Sequence, residues 1–257
     1  MDNQINKRGR ATIFVIIALI VIGLIILFFF LFGNKTIELP QREKFEPDSF
    51  IRECLRESVR EKTEIMIPQG GFVNPIDYKI YNDIKVAYLC KNINYYEPCV
   101  NQYPVYLTSL KKEIENNIKE DVEECSIALE DELDKRNYEF SGGEIEKIEA
   151  TLKPEAIELS VFRDFSYGKG EETKGFDSFS SSIKSPLYKL GSVAQIIADQ
   201  EAQFCYFEYV GYMNLNQEFI IRKWTMSDST KIYTVTHKDS GAEMNIAIRG
   251  CAIPPGY

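Results

Sequence analysis

Residues 141–167, SGGEIEKIEATLKPEAIELSVFRDFSY, change the period of the chain. Before Ser141-Gly142-Gly143 apolar residues recur at helical spacing, and beyond it they recur at every second position. Residues 144–153 and 157–167 read as a hairpin about Pro154-Glu155, its second strand alternating Ile157, Leu159 and Val161 before Phe165 and Tyr167. A chain that is helical on one side of such a boundary and sheet-forming on the other belongs to the α+β class. The boundary predicts two subdomains, 48–140 as helix-hairpin-helix and 141–257 as antiparallel sheet plus helix.

Toward the C-terminus, the polar segment GKGEETKG at 168–175 has glycines and a lysine without the Gly-x-x-x-x-Gly-Lys-Ser/Thr order of a phosphate cradle. It reads as a hairpin tip or flexible connection. Ser185 caps and Pro186 starts a helix with Leu187, Leu190, Val193, Ala194 and Ile197 on one face, ending near Cys205. Residues 218–226, 231–237 and 242–249 read as strands, the last two joined by the turn Lys238-Asp239-Ser240-Gly241. The tail from Ile253 to Tyr257 has no regular pattern.

Toward the N-terminus, residues 109–135 read as the longest helix, capped by Ser109, with Leu110, Ile114, Ile118, Val122, Cys125, Leu129 and Leu133 forming one buried stripe. Seven tyrosines precede or open it: Tyr78, Tyr81, Tyr88, Tyr95, Tyr96, Tyr103 and Tyr106. Tyrosine offers large contact area with few rotatable bonds, so this segment is a candidate recognition surface for a protein or glycan, against the simpler reading of strand and loop packing. Residues 77–89 read as two short strands around Tyr81-Asn82-Asp83. A helix capped by Asp48 or Ser49 runs to about Ile65 with Phe50, Ile51, Cys54, Leu55 and Val59 at helical spacing. About three helices packed on antiparallel sheet are therefore expected.

Residues 11–32, ATIFVIIALIVIGLIILFFFLF, carry no charge. As a helix this run reaches roughly 33 Å, the thickness of a bilayer's hydrocarbon. It ends in Phe28, Phe29, Phe30, Leu31 and Phe32 rather than small residues, so it reads as an uncleaved transmembrane helix and not as a removed signal. Lys7, Arg8 and Arg10 place residues 1–10 in the cytoplasm and the remainder outside, through a stalk at 33–47 that contains Pro40 and Pro47. Asn34-Lys35-Thr36 makes Asn34 a candidate glycosylation site.

Six cysteines in a chain placed outside, none in Cys-x-x-Cys spacing, point to disulfides. The expected elements favour Cys54 with Cys125, Cys90 with Cys99 and Cys205 with Cys251, although spacing alone leaves other connectivities open. Each of the two long loops would add on the order of 4 kcal/mol in the chain-entropy picture. Beyond residue 32 stand 27 basic against 38 acidic residues. That anionic surface repels nucleic acid, so the bilayer through residues 11–32 and a protein or glycan at the cell surface are the expected partners, with the oligomeric state open.

Chemistry finds little to work with. The single histidine, His237, reads as a surface residue, and one histidine cannot build a zinc site or a Ser-His-Asp triad. Ser109-Leu110-Lys111-Lys112 and Ser181-Ser182-Ile183-Lys184 match Ser-x-x-Lys without its partner motifs. Carboxylates are plentiful, yet no pair can be singled out for a hydrolase. No catalytic residue, cofactor or metal is expected.

Lys7-Arg8-Gly9-Arg10-Ala11-Thr12-Ile13-Phe14 followed by the apolar run resembles the class III, type IV pilin-like signal of archaea. In that family a peptidase cuts before the helix, which then bundles into a filament core or seats a pilin in the membrane. Phe14 stands where the family has glutamate, and Arg10 where it has glutamine. Glu53-Cys54-Leu55 and Gln69-Gly70-Gly71-Phe72 make the rest of the chain similar to single-pass surface proteins of small-genome archaea, a likeness that brings no assigned activity. The expected function is a membrane-anchored extracellular structural or interaction protein, pilin-like or a cell-surface attachment component. A tethered ligand-binding module of a transport or sensing complex and an extracellular carboxylate-dependent hydrolase are the alternatives.

Overall fold

The computed structural model describes residues 16–28 and 45–253. Residues 1–45 and 46–257 form separate units, each described by itself. Within the first, α1 covers 16–28 with every side chain exposed. Among the described residues no helix is long and apolar enough to cross a membrane. The described helix covers only part of the 11–32 run, whose ends lie outside the described residues, as do residues 1–10, most of the stalk with Asn34, and residues 254–257.

The second unit is α+β with two sheets and helices α2 (Pro47–Met66), α3 (Tyr106–Asn117), α4 (Lys119–Lys135), α5 (Leu187–Phe204) and α6 (Tyr209–Leu215). Its strands are β1 (Tyr78–Tyr81), β2 (Ile84–Lys91), β3 (Val100–Asn101), β4 (Glu139–Gly142), β5 (Lys147–Lys153), β6 (Ala156–Lys169), β7 (Glu172–Lys184), β8 (Phe219–Thr225), β9 (Lys231–His237) and β10 (Glu243–Arg249). The larger sheet has the order β1-β2-β10-β9-β8 with β3 beside β2, and the smaller is built about β6, with β7 on one side and β4 and β5 on the other.

Two expectations change here. The larger sheet is mixed, because β2 and β10 run parallel, pairing Ala247 with Tyr88 and Ile248 with Cys90. The same pairing joins residues on both sides of Ser141-Gly142-Gly143, so 46–257 is one compact unit and not two subdomains. Both strands are buried on both faces, from Val86 to Cys90 and from Met244 to Ile248, as a parallel pair covered on two sides requires.

The long stripe is buried as expected, Leu110, Ile114, Ile118, Val122, Cys125, Leu129 and Leu133 all at 2% exposure or less. It is carried by two helices. Ile118 sits at φ −102°, ψ −1° between α3 and α4 after the weak helix formers Asn116 and Asn117, yet its N–H still donates to Ile114 O, so the stripe keeps its phase. Ser109 lies inside α3, whose N-cap is Val105, and α2 is capped from Glu46 rather than Asp48 or Ser49. The N-cap of α5 is Pro186 and not Ser185, whose Oγ accepts from Leu187 N at 3.2 Å from one residue further back.

Residues 168–175 are the tip of the β6–β7 hairpin. The strand β7 was not legible because its outward positions are serines and charges, while Phe179, Ser181 and Ile183 alternate inward. The face of β7 packs on α2, α3 packs on β5 and α5, and α5 touches strands of both sheets. Close packing shows at Gly71, at φ +85°, where an added Cβ would lie 2.1 Å from a Leu110 methyl. The three disulfides are Cys54–Cys125, Cys90–Cys99 and Cys205–Cys251, with Cα separations of 5.8, 5.3 and 5.9 Å. The first ties α2 to α4, the second closes the β2–β3 loop, and the third joins the end of α5 to the segment after β10.

Candidate functional site

The register of β8, β9 and β10 lays three rows across one face of the larger sheet. Trp224, Ile232 and Ala247 form an apolar row, Arg222, Thr234 and Asn245 a polar one, and Ile220, Thr236 and Glu243 a third. Neighbouring rows are two residues apart along the strands, about 7 Å. Alternation makes this possible: in β9 Tyr233 and Val235 point to α5's side, leaving Ile232, Thr234 and Thr236 for the opposite face.

That face is half covered. Val86, Tyr88, Ile232 and Ala247 form a buried cluster against which Tyr81, Ile84 and Met226 pack, so the β1–β2 hairpin roofs one end. Between its turn at Asn82 and the β8 edge lies a cleft of about 640 Å³ whose lining includes Tyr81, Tyr209, Arg222, Trp224, Thr234 and Glu243. Trp224 is 62% exposed, although it is the only tryptophan of the chain and large aromatic rings are usually mostly buried.

The polar groups of the cleft hold one another in place. Arg222 donates to Glu243 Oε1 at 2.6 Å, and Thr236 Oγ1 donates to the same oxygen at 2.8 Å. Thr234 Oγ1 donates to Asn245 Oδ1 at 2.7 Å, while Asn245 Nδ2 donates to Pro68 O at 3.0 Å, which fixes the amide's orientation. Lys223 lies over the Tyr206 and Tyr209 rings at 5.1 and 5.3 Å. Hydrogen bonds from Tyr206 and from the Gly211 and Val210 N–H groups, with Lys223 nearby, hold Glu208 below the usual carboxylate range. Among the described lining residues Glu243 is the one carboxylate.

On the other face Glu201 of α5 is wholly buried. It accepts from Lys231 Nζ at 2.5 Å and from the Tyr233 hydroxyl, and Lys231 also donates to Cys205 O at 2.7 Å. Burial, followed by the hydrogen bond and charge of Glu201, pushes the Tyr233 phenol far up. Burying polar groups in an apolar setting is costly unless they are hydrogen-bonded, and these bonds tie α5 to β9.

The tyrosine segment does not form one surface. Tyr106 and Tyr88 are buried, Tyr106 donating to Gly70 O at 2.7 Å and Tyr88 sharing a hydrogen bond with Thr230. Tyr103 packs on Phe72, with ring centroids 4.6 Å apart. Tyr78, Tyr95 and Tyr96 are exposed, and Tyr81 alone reaches the cleft. The packing reading therefore accounts for Tyr88, Tyr103 and Tyr106.

His237 is a correction: it is 3% exposed, not a surface residue. Its Nδ1 bonds Ser240 at 2.9 Å within the turn, Phe219 lies against its ring, and its Nε2 stands 3.8 Å from a Glu218 oxygen. Position 237 shares the parity of Tyr233 and Val235, and its packing against Phe219 and the turn after β9 buries it. The second Ser-x-x-Lys match is split across the strand: Ser181 points inward and donates to Arg52 O, whereas Lys184 is exposed on the opposite parity of β7. Among the described residues no three histidines, cysteines or carboxylates gather as a metal-binding group.

The residues that sequence reasoning missed are Arg222, Trp224, Thr234, Glu243 and Asn245. One signal was present, a lone tryptophan at the outward parity of a strand beginning Phe-Ile-Ile. Compared with known proteins, the chain matches no family model, no curated protein and no solved structure.

Proposed function

We infer that this chain is a membrane-anchored protein whose 46–257 domain stands outside the cell and recognises a ligand at its surface without chemical conversion. The observation that carries the reading is the cleft across β8, β9 and β10, with an exposed tryptophan beside a row of polar groups already held in position. Preorganised side chains cost little to order when a ligand arrives. Three disulfides suit an oxidising space, and the uncharged run at 11–32 suits a bilayer. Glu243, tied to Arg222, lacks a second acid in the described lining, so a paired-carboxylate hydrolysis has less to draw on than binding does.

Two measurements test this. The full chain should remain with the membrane fraction after carbonate extraction and show no free thiol before reduction. Vesicles carrying it should adhere to cell-surface material, and Trp224→Ala should abolish adhesion while leaving thermal unfolding unchanged. Extraction by carbonate, or undiminished adhesion of the variant, would refute the reading.

A further inference from the structure

We propose that the cleft binds a neutral oligosaccharide, with one sugar ring on Trp224 and its hydroxyls on the Arg222–Thr234–Asn245 row. This rests on the recognition reading above and names its ligand class. Four features of the cleft lead to it.

The first is the pairing of an exposed ring with a polar row about 7 Å away along the strands. A pyranose has faces of C–H groups and an edge of hydroxyls, each of which both donates and accepts. An aromatic plane matches the face, since it offers apolar area at low entropic cost. Arg222, Thr234 and Asn245 match the edge, since together they offer donors and acceptors in one line.

The second is charge. Arg222 is compensated by Glu243 at 2.6 Å, and Lys223 lies over the Tyr206 and Tyr209 rings. A site for phosphate or a sugar acid offers a cation free to pair with the ligand, whereas the guanidinium in the polar row of this cleft already has its anion.

The third is the state of the polar atoms. Glu243 Oε1 already accepts from Arg222 and Thr236, and Asn245 is anchored through both of its amide atoms. Such groups are fixed before the ligand arrives, and the carboxylate and guanidinium keep further acceptor and donor positions for hydroxyls.

The fourth separates a sugar from a peptide. An extended peptide would bind by adding a strand to the β8 edge. The Phe219 N–H is taken by Asn216 O at 3.1 Å and the Ile221 N–H by Met213 Sδ at 3.0 Å, both from α6 or its end. Over that length the edge is closed to strand addition, and the open surface is the side-chain face.

The lone tryptophan makes the test direct, because all of the protein's indole emission comes from Trp224. The full chain in detergent micelles is titrated with maltotriose, cellotriose, mannotriose and chitotriose. At least one should give a saturable change in tryptophan emission that added salt leaves unaltered. Glu243→Gln should weaken that sugar at least tenfold with unchanged thermal unfolding, and Thr234→Ala should weaken it at least tenfold while lowering the unfolding temperature, because the buried Asn245 Oδ1 then loses its donor. The comparison panel is a set of uronic-acid trisaccharides and one of mixed tripeptides. A saturable response to either, with none to the neutral sugars, would overturn the sugar class while leaving a ligand-binding cleft. No response to any panel would overturn both readings. A response to neutral sugars that survives both substitutions would place the sugar elsewhere and overturn the assignment.

Discussion

Removing Lys231 alone should damage this protein more than removing Lys231 together with its partners. Glu201 is fully buried, its carboxylate satisfied by Lys231 Nζ at 2.5 Å and by the Tyr233 hydroxyl. Lys231→Met takes one of these away and leaves a carboxylate without its countercharge in the interior, a change of about 3–5 kcal/mol. Glu201→Gln belongs at the lower end, about 3 kcal/mol, because Lys231 is 17% exposed at its side chain and keeps Cys205 O at 2.7 Å. The double variant Glu201→Leu with Lys231→Met removes both charges, and its remaining cost is the Tyr233 hydroxyl left without an acceptor, about 1–3 kcal/mol. Adding Tyr233→Phe removes that too, so the triple variant should fall within about 1 kcal/mol of the parent. For a domain of this size about 1 kcal/mol moves Tm by roughly 2–4 °C. Thermal unfolding of the full chain, followed by near-ultraviolet circular dichroism, should therefore rank Lys231→Met lowest, then Glu201→Gln, the double variant and the triple. A triple variant as unstable as Lys231→Met would refute the reasoning, since the cost would then come from lost packing and not from an unpaired charge.

Replacing Cys54 and Cys125 by alanine opens a link spanning 71 residues, against 9 for Cys90 and Cys99. The chain-entropy relation gives about 4 kcal/mol for the first and about 2.5 kcal/mol for the second, a ranking that urea midpoints would check. Gly191→Ala improves helix propensity in α5 yet should destabilise by about 1–3 kcal/mol, because its Cβ would lie 2.6 Å from a methyl of the buried Leu110. Leu110→Val in the same chain should recover part of that loss. Burial raises the Tyr106 phenol above its ordinary value of 10, as burial and Glu201 raise Tyr233. Their contribution is complete below the unfolded pKa and declines as pH rises past 10 toward the folded values, because the unfolded chain then releases protons that the folded one keeps. Phenolate absorbance of these two residues should thus appear together with loss of the near-ultraviolet signal, and Tyr106→Phe should reduce the alkaline slope of stability.

Much of the fold was legible because its signals are local. The stripe from Leu110 to Leu133 depends on helical spacing within one segment, and Ile157, Leu159 and Val161 depend on alternation within one strand. The same local readings favoured the three disulfide pairings that form, by placing each cysteine on an element, while the fold decided which elements meet. The strand β7 failed the same test, its serines hiding a pattern that only pairing with β6 reveals.

The site was not legible, because it is a property of register between strands. Arg222, Thr234 and Asn245 are separated along the chain by turns, and each alone reads as an ordinary outward residue. The sequence by itself determined the uncharged run at 11–32, the α+β class, the helix faces and strand parities, because each depends on residues within a few turns of one another. Only the tertiary structure decided that β2 lies parallel to β10, that His237 and Glu201 are buried, and that an apolar row and a polar row share one half-covered face. Those outcomes depend on which distant strands meet and in what register, and pairing energy between distant segments leaves no periodic trace in either segment alone.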